Sequence, residues 1–198
     1  MISFPVALKL EGRLCLVVGD GAEALRRLEA LVEAGARLRV VSSTPSGELF
    51  ERIRELGGEL CEREYRASDL EGVWLAVLCE QNAALAERIG VDADARRVFF
   101  CAVDQPAFSS YSHVGLVRSG PLFIAIGTEG KAPALARRLK HEFARALSNP
   151  AVGEFVEALV SLRESTPGAE RAMRLTREAA RLRLEGEFVV EPPEGGCP

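Results

Sequence analysis

The sequence predicts an α/β protein in which a doubly wound parallel sheet is followed by a β-hairpin and helices. Up to Val103, solid apolar runs alternate with amphipathic helical stretches, which is the pattern of parallel strands covered on both faces. A glycine turn joins the first strand to the first helix. Beyond residue 104 the alternation stops, because two short strand-like runs around a turn are followed only by helical patterns.

The first predicted strand is Leu14–Val18, a continuous apolar run. The helix Ala22–Ala34 follows it, and Gly35 stands where a left-handed C-terminal cap belongs. The next strand is expected at Leu38–Val41, and Gly90 is expected to end a later helix. The remaining elements of this half are predicted at Leu49–Leu56 (helix), Val73–Cys79 (strand), Ala83–Ile89 (helix) and Val98–Val103 (strand).

The second half begins with a predicted hairpin, whose strands Val114–Arg118 and Leu122–Gly127 flank a Ser-Gly-Pro turn. Pro133 suits the first turn of the helix that follows. The helices are predicted at about Ala132–Leu147, Ala151–Glu164 and Pro167–Leu184, before a loose Gly/Pro/Glu tail at Gly186–Pro198.

The change of pattern suggests three domains. We expect a nucleotide-binding sheet domain over residues 1–112, a dimerisation and substrate-cleft module over 113–148, and a helical C-terminal domain with a flexible tail over 149–198. These boundaries follow from the shift from parallel strands to a hairpin, and from the Asn149-Pro150 hinge.

Composition and charge exclude several classes of protein. The 198 residues are 47% hydrophobic and 27% charged, which suits a packed core. The net charge of −4 gives no electrostatic case for a nucleic-acid partner. No apolar run reaches the length of about 18 residues that a membrane span needs. The opening MISFPVALKLEG does not resemble an export signal, so we expect a cytoplasmic protein.

The cysteines give no metal or disulfide framework. Their count is odd, and no two have the spacing of a zinc knuckle or a redox pair. Three of them lie in apolar runs, where we expect small core residues in a reducing compartment. The five are Cys15, Cys61, Cys79, Cys101 and Cys197. We therefore predict no resident metal site.

The glycine turn matches the dinucleotide fingerprint G-x-G-x-x-A between a strand and a helix. Gly19 permits the tight turn, Gly21 lets a pyrophosphate approach the backbone, and Ala24 lets the helix pack closely on the strand. The N–H groups of Ala22 and its neighbours would face the phosphates. Asp20 is electrostatically unfavourable there unless its side chain points to solvent. The alternative is a glycine-bearing connection that binds nothing.

The end of the second strand lacks the acid that usually holds the ribose of NAD. Hydroxyl side chains stand there instead, at Ser42 and Ser43, and no arginine follows at once to meet a 2′-phosphate. The residues alone therefore leave the choice between NAD and NADP open.

Other stretches are expected at the same carboxyl edge, where ligands of open parallel sheets bind. Cys79 and Glu80 follow one strand, and Asp104 follows the last. A carboxylate at Asp104 would accept a proton while a hydride leaves to the cofactor. The alternative is a turn former ahead of Pro106.

A second strand-to-helix loop reads GTEGKAP over residues 127–133. The N–H group of Gly130 and the ammonium of Lys131 would receive the carboxylates of an acidic ligand, or the loop is a plain connection. His113 is a candidate proton carrier or metal ligand, although a lone histidine is more often neither.

The chain resembles the precorrin-2 dehydrogenase/sirohydrochlorin ferrochelatase family, which is also the N-terminal module of sirohaem synthase. The resemblance is carried by FPVALKLEGRLCLVVGDGAEALRR, LVEAGARLRVV, CAVDQP and SGPLFIAIGTEGKAPALARRLKHEF. The F-P-x-x-L-x-L-x-G-R opening, together with the later I-A-I-x-T-x-G-K-x-P-x-L-A-R, is far more specific than the glycine turn. The match is strong over residues 3–147.

The resemblance implies a Rossmann-like domain that uses NAD to oxidise precorrin-2 to sirohydrochlorin, in a homodimer. Some members then insert Fe²⁺, and whether this chain does so stays open. The family's functional aspartate falls on Asp104, the expected general base. The resemblance also implies substrate contacts at Thr128 and Ser110, and places Ser42 and Ser43 near the adenosine ribose.

The chain departs from the family pattern in three places. Cys101 stands where many relatives have Asn, and Val114 stands where many have Pro. The loop over residues 127–130 reads GTEG instead of Ser-Thr-Gly-Gly or Ser-Ser-Gly-Gly, so Glu129 adds a negative charge to the predicted cleft. With the missing ribose acid, these departures leave a second function open, a non-catalytic sensor that binds a dinucleotide and reports its occupancy to a partner.

Overall fold

The computed structural model describes residues 3–186. In the first unit, five strands form one parallel sheet in the order β3-β2-β1-β4-β5. Helices connect the strands, which confirms the predicted doubly wound α/β class. The strands are β1 Leu14–Val18, β2 Arg37–Ser42, β3 Glu59–Glu62, β4 Val73–Leu78 and β5 Phe99–Ala102, and the helices are α1 Gly21–Glu33, α2 Gly47–Leu56 and α3 Ala83–Arg96.

The chain divides into two compact units. The first comprises the described residues up to His113 together with Glu129–Lys131, and the second comprises Val114–Thr128 and the described residues from Ala132 onward. The predicted three-domain boundaries stay a prediction. The tail predicted at 186–198 lies, apart from Gly186, outside the described residues.

The sheet of the first unit is buried on both faces, as its continuous apolar strands predict. One face packs Leu16, Leu78 and Phe100 into a cluster with residues of α3. The other packs Cys15, Val17 and their neighbours against α1 and α2. The loops at the carboxyl edge therefore extend from a sheet that is packed on both faces.

Two elements of this unit differ from the sequence-based expectation. The strand β3 is absent from the prediction, because its ELCE sequence is short, charged and only half-buried at the sheet edge. The helix α3 does not end at Gly90 as predicted but continues to Arg96. A Cβ at residue 90 would lie 3.4 Å from the carbonyl oxygen of Phe108 and 3.8 Å from the ring of Phe100. Gly90 is thus a close-packing residue, and α3 ends at Arg97, whose φ is 57°.

A buried ion pair closes the segment between β3 and β4. The Asp69 side chain is almost inaccessible and accepts hydrogen bonds of 2.8 and 2.6 Å from the guanidinium of Arg63. The backbone N–H of Arg66 donates a third, of 2.8 Å. Desolvation favours the protonated acid, but these hydrogen bonds outweigh it and lower the pKa of the Asp69 carboxyl.

We expect Asp69→Asn to lower the free energy of unfolding by about 2–3 kcal/mol at neutral pH, because Arg63 loses its charged partner. A depressed folded-state pKa stabilises the fold above the unfolded pKa of about 4, and the stabilisation disappears as pH falls through the folded value. Urea unfolding at neutral pH and at about pH 3 measures this. Asp94→Asn, on the exposed face of α3, is the matched control. Equal stability of wild type and Asp69→Asn at neutral pH would contradict the argument.

The second unit contains a hairpin and three helices, as predicted. Its elements are β6 Gly115–Ser119, β7 Leu122–Ile126, α4 Pro133–Leu147, α5 Pro150–Ser165 and α6 Gly168–Ala179. The strands pair antiparallel, and Pro133 stands in the first turn of α4 as expected. The last helix ends at Ala179, short of the predicted Leu184. Within residues 3–186, no helix combines the length and apolarity needed to cross a bilayer.

Candidate functional site at the carboxyl edge of the sheet

Backbone hydrogen bonds hold the loops at the carboxyl edge of the sheet in line with one another. Three N–H to C=O bonds of 2.8–2.9 Å continue the ladder past the strand ends. They join Gly19 to Val41, Cys79 to Val18, and Val103 to Leu78. The segments after β1, β2, β4 and β5 therefore form one contiguous edge, which is where ligands of open α/β sheets bind.

The glycine turn has the geometry that its sequence predicts. Gly19 has a φ of 114°, and a Cβ there would lie 2.8 Å from Cγ of Glu80. Gly21 has a φ of 83°, and the space that its Cβ would occupy is open. Ala24 is fully buried against the sheet. The first turn of α1, including Ala22, offers N–H groups that have no acceptor within the helix. This open cradle fits a pyrophosphate.

Asp20 does not point freely to solvent. Its carboxylate accepts hydrogen bonds of 2.6 Å from the N–H of Gly21 and 2.6 Å from the N–H of Ser46, and one of 2.9 Å from the Ser46 hydroxyl. Desolvation opposes ionisation, but these bonds outweigh it and lower the pKa of Asp20. Asp20 thus caps α1 and ties the turn to the start of α2.

A cavity of about 520 Å³ opens beside the glycine turn. It lies at the ends of β1, β2 and β4, and both predicted ribose-contact residues line it: Ser42, which is buried, and Ser43, which is exposed. Glu80 lines it from the end of β4. Asn82, from the same predicted stretch as Glu80, also lines it, whereas the sequence analysis missed three charged residues of the lining: Arg63, Glu64 and Arg88.

The two arginines of the cavity differ in how far their charge is neutralised. Arg63 is bound through both terminal nitrogens to Asp69. Arg88 donates a 2.6 Å hydrogen bond to the carbonyl oxygen of Tyr65, and its guanidinium lies 5.2 Å from the centre of the Tyr65 ring. The unrecognised strand β3 is the reason that Arg63 and Glu64 were missed, since both follow it directly.

Asp104 lies on the same edge, directly after β5. Its φ of 57° is in the left-handed region, which Asn and Asp adopt more readily than other residues with a side chain. The side-chain amide of Gln105 donates to the carbonyl oxygen of Glu80 at 2.9 Å, and that of Gln81 donates to Val103 at 3.0 Å. These two bonds fix the position of the exposed Asp104 backbone beside the end of β4.

The separation of Asp104 from the glycine turn follows from the strand order. The turn follows β1, β4 is its neighbour, and β5 comes next. Two strand spacings amount to roughly 10 Å. An extended dinucleotide whose pyrophosphate lies on Gly21 can therefore place its reactive ring near the end of β5, beside Asp104.

The two serines before the second unit have structural roles. The Ser110 hydroxyl accepts from the N–H of Phe100 at 2.9 Å, and Ser109 accepts from the N–H of Ala102 at 3.0 Å. The Ser110 N–H also donates to the Phe100 carbonyl at 2.8 Å. These bonds cover the free edge of β5. The predicted substrate contact of Ser110 stays a prediction.

Tyr111 and His113 form a pair at the end of the first unit. The Tyr111 hydroxyl lies 3.5 Å from Nε2 of His113, and the rings meet edge to face. Desolvation by its surroundings lowers the pKa of His113 to about 4, and Arg27 contributes in the same direction, although part of the residue contacts solvent. The imidazole is therefore neutral at physiological pH, and its lowered pKa makes it a weaker base than an ordinary histidine.

The GTEGKAP loop is divided between the units. Glu129 has a φ of 53°, and its carboxylate accepts from the N–H of Ser3 at 2.9 Å and lies 3.5 Å from Nζ of Lys131. These contacts compensate the extra negative charge. Gly130 has a φ of 74° with open space at its Cβ position. Thr128 belongs to the second unit, so its predicted substrate contact is untested by this geometry.

Cys79 is a poor candidate for direct chemistry, although it stands at the edge. Its thiol packs against the sheet core, and burial raises its pKa to about 12. Burial likewise raises the pKa of the Cys101 thiol. Both are neutral thiols at physiological pH. Among residues 3–186, no group of three or more His, Cys, Asp or Glu side chains could hold a metal ion.

Comparisons with known proteins agree with this geometry. Residues 6–113, which carry the glycine turn, the cavity and Asp104, match the family described as "Putative NAD(P)-binding". The chain belongs to this family. The family match supports a nicotinamide dinucleotide as cofactor, and the open space at Gly21 and the adjoining cavity fit that cofactor.

Curated relatives of this family member include proteins named "Siroheme synthase". That of Pseudomonas entomophila strain L48 is 38% identical over 136 residues, which cover 69% of this chain and 29% of the relative. That of Pseudomonas aeruginosa strain LESB58 is 39% identical over 136 residues, which again cover 69% of this chain and 29% of the relative. The chain thus spans about three tenths of the length of these relatives.

Among solved structures, "SirC, precorrin-2 dehydrogenase" has the same fold. It superposes with a TM-score of 0.71 at 22% sequence identity, and the match covers 88% of each chain. The match extends well beyond the 6–113 range, so the family domain and much of the second unit share the SirC architecture.

Proposed function

We propose that this chain oxidises precorrin-2 to sirohydrochlorin with NAD as oxidant, in sirohaem biosynthesis. The observation that carries the proposal is the position of Asp104 on the same rigid edge as the glycine cradle. The sequence similarity to siroheme synthases and the fold shared with SirC support the same activity.

The proposed chemistry needs little from the protein besides position and a base. When bound, the nicotinamide accepts the hydride that leaves a substrate carbon. The macrocycle also loses a proton, which we assign to the carboxylate of Asp104. The hydride and the proton together remove two electrons and two protons from the substrate. Glu80 and Gln105 hold the base in place through the bond between the two loops. The pyrophosphate approaches the backbone at Gly21, where space is open, and faces the N–H groups that follow in α1, because the Gly21 N–H is itself bound to Asp20.

The test is turnover of purified protein with precorrin-2 and NAD⁺. We expect NADH to appear together with the absorption spectrum of sirohydrochlorin, over many turnovers per protein chain. Tight binding of the nucleotide without NADH formation would contradict the proposal and would identify the non-catalytic sensor instead.

We also propose that Fe²⁺ is a substrate in a second step, insertion into sirohydrochlorin. Two pyrrole N–H protons must leave as the iron enters. We assign their removal to Asp104, which accepts one proton at a time and passes each to solvent at the exposed edge. The test compares the rate of sirohaem formation from Fe²⁺ and sirohydrochlorin with and without the protein. Equal rates would exclude the step and leave a dehydrogenase alone.

We further infer a reducing, cytoplasmic setting, which the free thiols of the described cysteines support.

We also propose that two copies assemble through the second unit. In its described part only Val117, Ile126 and Thr166 are buried, and α4, α5 and α6 contain no buried residue. Amphipathic helices with so little burial need a further apolar surface to cover them.

Leu135→Glu is expected to weaken the dimer by about 100-fold or more, because a charge replaces an apolar side chain that is 52% exposed on α4. Val91→Glu is the matched control, since Val91 is a similarly exposed apolar residue of the first unit. Light scattering coupled to size-exclusion chromatography measures both. A wild-type monomer at micromolar concentration would refute the assembly.

A further inference from the structure

The cavity beside the glycine turn contains an acid that the end of β2 lacks. In NAD sites an acid at that strand end usually holds the ribose hydroxyls, but here the strand ends in Ser42 and Ser43. Ser42 is paired in register with Glu62 of β3. Glu64 follows shortly after Glu62 and lines the same cavity as the two serines. The segment after β3 thus places a residue with a carboxylate on the cavity wall beside the end of β2.

The charges around the cavity favour a neutral diol over a phosphate. Arg63 is paired with the buried Asp69, so its charge is already neutralised. In the described part of the chain, Glu64 and Glu80 form no ion pair. Arg88 alone remains to offset them, and its guanidinium is engaged with Tyr65. The net charge presented to a ligand is therefore negative, which disfavours the dianionic 2′-phosphate of NADP.

We propose that Glu64 determines cofactor specificity: its carboxylate accepts the hydroxyls of the adenosine ribose of NAD and repels the 2′-phosphate of NADP. The inference rests on the proposed function only in that a nicotinamide dinucleotide occupies the cleft. Ser42 and Ser43 leave room for this arrangement because their side chains are short and uncharged. Glu80 is closer to the phosphates, since its Cγ packs against Gly19.

The test measures dissociation constants of NAD⁺ and NADP⁺ by isothermal titration calorimetry. Wild type is expected to bind NAD⁺ at least about tenfold tighter than NADP⁺. Glu64→Gln removes the charge and a charge-assisted hydrogen bond, so the preference should shrink by about tenfold, with weaker NAD⁺ binding and equal or tighter NADP⁺ binding. The matched control is Glu62→Gln, which removes the same charge from β3 outside the cavity lining. It should leave both constants unchanged.

Two outcomes would overturn the inference. One is a Glu64→Gln preference within twofold of wild type in a protein whose circular dichroism spectrum is native. The other is tighter binding of NADP⁺ than NAD⁺ by wild type, which would assign the 2′ position to Arg88. Because these are binding measurements, they are separate from turnover. If the wild-type protein prefers NAD⁺ but does not oxidise precorrin-2, the proposed function is contradicted and the inference about Glu64 stands.

Discussion

Asp104→Asn is expected to reduce the rate of precorrin-2 oxidation by about 10²- to 10⁴-fold while leaving the dissociation constant of NAD⁺ nearly unchanged. The amide cannot accept the proton that leaves the macrocycle, and general-base catalysis contributes a factor of that size. Single-turnover NADH formation measures the rate, and calorimetry measures NAD⁺ binding. Substrate binding, followed through the absorbance of precorrin-2, should also persist.

Asparagine is the informative replacement because of the backbone conformation at this position. The φ of Asp104 is 57°, a region that Asn adopts more readily than Ala. Asp104→Ala would therefore combine loss of the base with strain in the loop, whereas Asp104→Asn removes only the base. Asp94→Asn serves as the control for a removed surface carboxylate. Normal turnover by Asp104→Asn would show that another group takes the proton.

The parts of the site that lie on strongly apolar strands could be predicted from the sequence. The strands β1, β4 and β5 are solid apolar runs, and β2 is mostly apolar between its arginines and Ser42, so the residues that follow these strands were expected at one edge. Gly19 and Asp104 are examples, and the structure places both there. The glycine turn was likewise predictable, since its residue spacing records the backbone approach that a pyrophosphate needs.

The ribose end of the cleft could not be predicted, and the reason is the edge strand β3. Its side chains are half-exposed and partly charged, so neither a solid apolar run nor a clean alternation marks it. Without that strand, Arg63 and Glu64 have no place at the carboxyl edge. The sequence directly after β2 contains no acid, but the segment after the neighbouring strand β3 places Glu64 in the lining of the same cavity. Examining each predicted strand separately could not show this.

Side-chain hydrogen bonds across the sequence were also beyond prediction. Asp20 was expected to face solvent or to oppose the phosphates, yet it binds Ser46 at the start of α2. The bond joins the N-cap residues of α1 and α2, so its formation depends on how closely the starts of the two helices approach. The motif specifies only the local turn.

Gly21→Ala is expected to weaken NAD⁺ binding by about 10- to 100-fold, because the added methyl group would crowd the pyrophosphate. The Cβ meets no atom of the protein, so it enters the open space that the pyrophosphate needs. The φ of 83° also adds strain of about 1–2 kcal/mol to the folded state. Calorimetry and urea unfolding measure the two effects separately.

Gly57→Ala separates backbone strain from loss of the cradle. Gly57 has a φ of 68° and open space at its Cβ position, but it caps the C-terminus of α2, away from the carboxyl edge. Its substitution should cost a similar free energy of unfolding and leave NAD⁺ affinity intact. If both variants lose stability equally and neither loses affinity, the pyrophosphate does not lie on Gly21. The assignment of Asp104 as the base would then lose its support. The distance from the glycine turn to Asp104 places the nicotinamide beside Asp104 only if the pyrophosphate is bound at Gly21.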